Sequence, residues 1–247
     1  TTPLQNMASS ISSFAYYSIR HSTKIISDGI EKVLEQLTPV LGDTKTKSEG
    51  EAFRSMLNGV IGDYLEEQNN SLKITMQFRY QTKSIELSPA SLNETYPNIT
   101  GKILLLVHGS CLNDNSWSRK EHNHGELLEK ELDKTLIYIH YNSGCHISIN
   151  GQKLNELLEQ LIGSWPVPVE EVVMISHSMG GLVTRSAIYY GEQQEKTWTK
   201  FIQKTIFLGT PHHGSSLERT GNYLAVSYTH LTVPTNTTFA LSITSIH

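Results

Sequence analysis

The chain changes its hydrophobic rhythm near residue 70. Before that point the period is helical. Ile26, Ile30, Val33, Leu34 and Leu37 recur at the spacing of one helix face, and Pro39 and Gly42 close that segment. Phe53, Met56, Leu57, Val60, Ile61 and Leu65 form a second stripe, with Ser48 and Glu51 at capping-box spacing ahead of it. The polar segment 43–49 reads as a surface loop. From Leu72 the period drops to two: Leu72, Ile74, Met76, Phe78 and Tyr80 alternate with mostly polar neighbours, which predicts a half-buried strand. Residues 84–87 are its expected hairpin partner, and 89–100 an expected loop.

The rest of the chain repeats one unit. Strands are predicted at 103–107, 136–141, 172–175 and 205–208, and helices at 125–132, 152–164 and 179–191. Strands alternating with helices imply crossover connections and a mainly parallel sheet with helices on both faces. Ligands of such sheets bind at the carboxyl ends of the strands. The expected organisation is a helical segment over 1–68, an α/β core over 69–225 and a tail over 226–247. That tail is threonine- and serine-rich without helical period, and reads as non-native or disordered.

Composition narrows the function classes. With 38% hydrophobic and 18% charged residues the balance is that of an ordinary globular chain, and a formal charge of -4 offers no basic footprint for nucleic acid. The two cysteines, Cys111 and Cys145, are too few for a disulfide scaffold and suit a reducing, cytoplasmic compartment. Apolar runs such as 103–107 fall far short of the roughly 20 residues that span a bilayer, and no secretory signal region is legible. The Asn-x-Ser/Thr triplets at Asn69, Asn93 and Asn98 are therefore read as chance.

The chemistry concentrates in 172–182, Val-Val-Met-Ile-Ser-His-Ser-Met-Gly-Gly-Leu. An apolar run stops at a small residue, a serine follows two positions later, and a glycine pair opens a helical pattern. This is the grammar of a nucleophile elbow, Gly-x-Ser-x-Gly, with Ser176 in the first glycine's place, Ser178 at the centre and Gly180 last. Ser178 is the expected nucleophile. Strand 103–107 ends in His108, Gly109 and Ser110, where a hydrolase of this type places one oxyanion donor. The expected hole is formed by the N–H groups of Met179 and Ser110, with His108, Gly109, Cys111, His177 and Gly180 as supporting residues. His108 is read as hydrogen-bonding to the nearby backbone and His177 as packed against the elbow. Cys111 is read as inert, His122 and His124 as a solvated loop, and the adjacent His212 and His213 as unsuited to share one metal ion.

These blocks resemble the lipase and esterase branch of the α/β-hydrolase superfamily. The closer resemblance is to bacterial glycosylphosphatidylinositol inositol-deacylase-like (PGAP-like) hydrolases. It rests on Leu106-Val107-His108-Gly109, Asn113-Asp114 with Trp117, His140-Tyr141-Asn142, Ser176 to Val183, residues 208–215, and Leu57-Asn58-Gly59-Val60-Ile61-Gly62-Asp63. It covers about residues 14–223. The resemblance implies an α/β-hydrolase fold, hydrolysis of a carboxylic ester of lipid-like or otherwise apolar character, and no cofactor or metal.

One departure is large. A serine hydrolase of this fold orders its triad serine, acid, histidine, yet no aspartate follows Ser178. The acids there are Glu192, Glu195 and Glu218, and the histidines His212, His213, His230 and His247. Glu218 and His230 have the right order but no room for a strand and helix between them. The expectation is a fold truncated after about its sixth strand, the acid and base lying outside the chain, and a weakly reactive serine. A non-catalytic lipid- or protein-binding module and an acyltransferase remain the alternatives.

Overall fold

The computed structural model describes residues 47–119 and 122–212. The expected helix at 26–37 and the tail at 226–247 lie outside them. The described residues divide into two compact units, one of 47–75 together with 111–113 and 141–146, the other of the remaining described residues.

In the first unit, helix α1 (Lys47–Glu67) takes the second hydrophobic stripe inward, burying Phe53, Leu57 and Leu65. It begins at Lys47, so Ser48 lies inside the helix and not at its cap. Ile61 breaks the helical dihedrals (φ -127°, ψ 26°), and Asn142 Nδ2 donates to the Gly62 carbonyl at 2.8 Å beside that break. A β-carbon on Gly59 would lie 2.8 Å from the Cys111 backbone nitrogen, and one on Gly62 would meet the Asn142 side chain. The glycines of the Leu57–Asp63 motif therefore serve close approach of helix and loop.

Leu72 and Ile74 are buried as the alternation predicts, but they are not in a strand. The fully buried side chain of Asn58 takes their backbone groups. Its Nδ2 donates to Leu72 O at 2.8 Å, and its Oδ1 accepts from Ile74 N at 2.8 Å. One amide side chain replaces a strand neighbour, so the strand starts later.

The second unit is built on a six-stranded sheet. Its strands are β1 (Gln77–Tyr80), β2 (Lys83–Ser84), β3 (Lys102–Val107), β6 (Thr135–His140), β7 (Glu171–His177) and β8 (Ile202–Leu208), in the order β2-β1-β6-β3-β7-β8. β2, β1 and β6 pair antiparallel, and β6, β3, β7 and β8 pair parallel. Ile103 to Val107 are all fully buried, as residues of a central strand with neighbours on both sides must be. Leu104, Leu106, Leu136, Tyr138, Val173, Ile175 and Trp117 form the core. The segment 89–100, expected as loop, holds helix α2 (Pro89–Thr95), with Ser88 as N-cap and proline in the first turn. Two-residue strands β4 (Ser118–Arg119) and β5 (His122–Asn123) make a separate ribbon. Helices α3 (His124–Leu132), α4 (Ile147–Ser164) and α5 (Met179–Gln193) connect the parallel strands. The antiparallel edge, the parallel set and the strand–turn–helix at β7–α5 together make an α/β-hydrolase fold. No helix among the described residues is long and apolar enough to cross a membrane.

Candidate active site

Ser178 stands between β7 and α5 with φ 52° and ψ -126°, a left-handed backbone that a residue with a β-carbon rarely adopts. Its N–H donates to the Leu208 carbonyl at 2.8 Å, and its own carbonyl accepts from Gly181 N at 3.1 Å. It occupies the N-cap position of α5, yet its side chain makes no capping bond, and the residue is half-buried. The turn is clamped on both sides. A β-carbon on Gly180 would lie 2.4 Å from His108 O and 2.9 Å from Val107 O, and one on Gly181 would collide with the Thr210 side chain. Ser176 is fully buried, and its hydroxyl meets that of Thr184, also fully buried, at 2.7 Å.

The β3 end faces this turn. Gly109 is buried, and a β-carbon there would stand 3.0 Å from Ser178 Cβ and 3.1 Å from His177 Nδ1. Ser110 is exposed on the following turn, and Met179 is half-buried in the first turn of α5. Backbone N–H groups at a helix N-terminus favour negative charge, the setting in which an acyl-transfer oxyanion is stabilised. Cys111 adopts φ 60°, with its N–H donated to Ser143 Oγ at 2.9 Å. His177 flanks Gly109, its Nδ1 3.1 Å from where a β-carbon there would stand, and is exposed. Its position at the last residue of β7 turns the side chain away from the buried face that Ser176 occupies.

His108 is fully buried, and burial lowers its pKa to about 4 even though a backbone hydrogen bond opposes the shift. Its Nδ1 lies 2.8 Å from the Gly109 carbonyl. A carbonyl only accepts, so the neutral ring carries its proton on Nδ1.

Among the described residues the structure does not bring an acid and a histidine to Ser178 in the usual triad order. Glu192 lies thirteen residues along α5 from Met179, roughly 20 Å at 1.5 Å per residue, and Glu195 lies beyond it. Glu218, His213, His230 and His247 lie outside the described residues. His212 Nδ1 lies 3.0 Å from Arg185 Nη1, and its ring meets Phe207 edge-on at 4.9 Å. Arginine only donates, so Nδ1 accepts there. Among the described residues no group of three His, Cys, Asp or Glu side chains is placed to hold a metal ion.

Sequence reasoning missed Thr184 and Arg79; Asp114 and His140 stand in the motifs quoted for the resemblance, but not as members of one buried group with Arg79. Thr184 could have been found, lying eight residues from the polar Ser176 of an otherwise apolar strand. Arg79 and Asp114, 35 positions apart, carry no local signal.

A family model described as "Domain of unknown function (DUF7379)" matches residues 69–244. Comparison with curated proteins returns no match. Among solved structures, the chain is similar to the lipase BlEst2 of Bacillus licheniformis. The mature form gives a TM-score of 0.41 at 18% identity, over 63% of this chain and 52% of that one. The propeptide form gives 0.40 at 20% identity, over 58% of this chain and 27% of that one. The chain thus spans about half of the first and about a quarter of the second.

Proposed function

The chain belongs to this DUF7379 family, and we propose that within it the chain acts as a serine hydrolase of carboxylic esters, with Ser178 as nucleophile. The observation that carries the reading is the left-handed Ser178 at a strand-to-helix turn, its β-carbon facing Gly109 of the neighbouring strand end. Backbone strain of this kind clusters at active sites, and here it stands under a hydroxyl that makes no capping bond. In this reading Ser178 Oγ attacks the ester carbonyl, and the N–H groups of Met179 and Ser110 hold the oxyanion. The tetrahedral intermediate collapses with loss of the alcohol, and water releases the acyl group. The base that takes the serine proton is assigned to a histidine beyond residue 212, because His212 accepts from Arg185 at Nδ1. The substrate is read as lipid-like, in keeping with the likeness of the sequence blocks to inositol-deacylase-like hydrolases.

The test is covalent labelling by a fluorophosphonate, with and without added imidazole as substitute base. Slow labelling confined to Ser178, accelerated by imidazole and lost in Ser178→Ala, is the expected result. No labelling under either condition, in a protein that still binds lipid or protein, favours the binding-module reading. Labelling that survives Ser178→Ala overturns the assignment of the nucleophile.

A further inference from the structure

Four ionisable side chains form a buried row that ends beside Gly109, and the proposed chemistry consumes none of them. Arg79 on β1, Asp114 at the start of the 3-10 turn Asp114–Trp117, His140 at the end of β6 and His108 after β3 are at most 6% exposed. Arg79 Nη1 donates to Asp114 Oδ1 at 2.9 Å, and Nη2 donates to the Thr82 carbonyl. His140 Nδ1 lies 3.9 Å from the same Asp114 oxygen, too long for a direct hydrogen bond. The His140 and His108 rings are 6.0 Å apart and tilted by 50°. β1, β6, β3 and β7 are consecutive in the sheet, so the row runs across it toward Ser178.

The row ends on one peptide group. His108 Nδ1–H holds the Gly109 carbonyl at 2.8 Å. That carbonyl and the Ser110 N–H belong to the same peptide, which is planar and trans like the others among the described residues. Fixing the direction of the oxygen therefore fixes the opposite direction of the N–H. A buried ion pair is weak evidence of stabilisation, since apolar residues of similar volume often serve as well. Here the pair heads a row whose next members are the His140 and His108 rings, and the row ends in a peptide plane beside the elbow.

We infer that Arg79, Asp114 and His140 are positioning residues for the oxyanion hole, acting through His108 on the Gly109–Ser110 peptide. The inference rests on the hydrolase reading, because it takes Ser110 N–H as an oxyanion donor. It names residues that act on a hydrogen-bond direction and touch no substrate.

The experiment pairs two readouts on the full chain, Asp114→Asn and His140→Gln. The first readout is the nitrogen spectrum of the histidine rings, and the second is the phosphonate labelling rate of Ser178 with imidazole present. In the unaltered chain His108 should show a single neutral tautomer protonated at Nδ1. In either variant that signal should become an average of two tautomers. Labelling at saturating probe should then slow at least tenfold, with the half-saturating concentration within twofold, and Asp114→Glu should recover part of the rate. A folded variant with an unchanged His108 signal and an unchanged rate overturns the inference, as does a rate loss that appears only in half-saturation. Should Asp114→Asn fail to fold, His140→Gln decides alone, because it leaves the Arg79–Asp114 pair in place. Should the unaltered chain show no labelling, the hydrolase reading falls, while the histidine spectrum still decides whether the row fixes His108.

Discussion

The hydroxyls of Ser176 and Thr184 meet at 2.7 Å with both residues fully buried. This pair accounts for a serine where the elbow pattern has its first glycine: the extra oxygen is satisfied by the second turn of α5. Thr184→Val should leave Ser176 Oγ buried without a partner and cost about 1–3 kcal/mol. Adding Ser176→Ala should restore most of the loss, because both polar groups are then gone. Denaturant unfolding of the two single variants and the double variant closes the cycle.

Ser178 carries a left-handed backbone that costs a residue with a β-carbon roughly 1–2 kcal/mol. Glycine escapes that cost but loses more entropy on folding, about 0.5–1 kcal/mol relative to alanine. Ser178→Gly should therefore be more stable than Ser178→Ala by up to about 1 kcal/mol, the reverse of the order in a helix interior. Both variants should be inert to the phosphonate. Melting curves and labelling on the same samples check the two halves of this prediction.

The glycines around the elbow should differ in what they break. At Gly180 a β-carbon meets two backbone oxygens, at 2.4 and 2.9 Å, and neither can rotate away. Gly180→Ala should cost about 1–3 kcal/mol by overpacking. At Gly109 the nearest atom is Ser178 Cβ at 3.0 Å, so a shift of a few tenths of an ångström relieves the contact. Gly109→Ala should leave the melting temperature nearly unchanged and still slow labelling severalfold, because the atom that must shift carries the hydroxyl.

Stability should depend on His108 in acid. Its pKa is about 4 in the folded chain and near the ordinary 6.5 when unfolded. As pH falls below 6.5 the unfolded state takes up a proton that the folded state refuses. Stability is therefore lost progressively down to pH 4 and levels off below it, by about 3 kcal/mol in total. His108→Gln should abolish this component. The difference between the two unfolding free energies, measured from pH 7 to pH 4, should narrow by that amount.

Breaking the buried pair from one side should cost more than removing it. Arg79→Met leaves Asp114 charged and buried and should destabilise by about 3–5 kcal/mol. Arg79→Met combined with Asp114→Leu should recover much of that loss. Chemical denaturation measures the difference.

The elbow was legible because its signal is local. An apolar run, two small residues and a glycine pair within ten positions describe a turn whose constraints are backbone contacts between near neighbours. The central strands were legible for a related reason: Ile103 to Val107 are buried on every side, so their text is continuously apolar. The errors fall where a distant group overrides the local pattern. The alternation from Leu72 is genuine, but the side chain of Asn58, fourteen positions earlier, takes the hydrogen bonds that a strand partner would need. Helix α2 was hidden because Pro89 marks a loop as readily as a first helical turn, and only the Ser88 cap distinguishes them. The row from Arg79 to His108 was out of reach, because it is assembled by strand order and no spacing encodes it.

The Ser178 N–H donates to Leu208 O, directly after His177 pairs with Leu208 in the β7–β8 register. The elbow serine is thus mechanically the last rung of a sheet before it is the first residue of a helix. Its own amide is committed to that rung, which leaves the neighbouring amides to meet any anion. The serine is thus tied to the strands through its backbone, while Met179 beside it is the first residue of the helix.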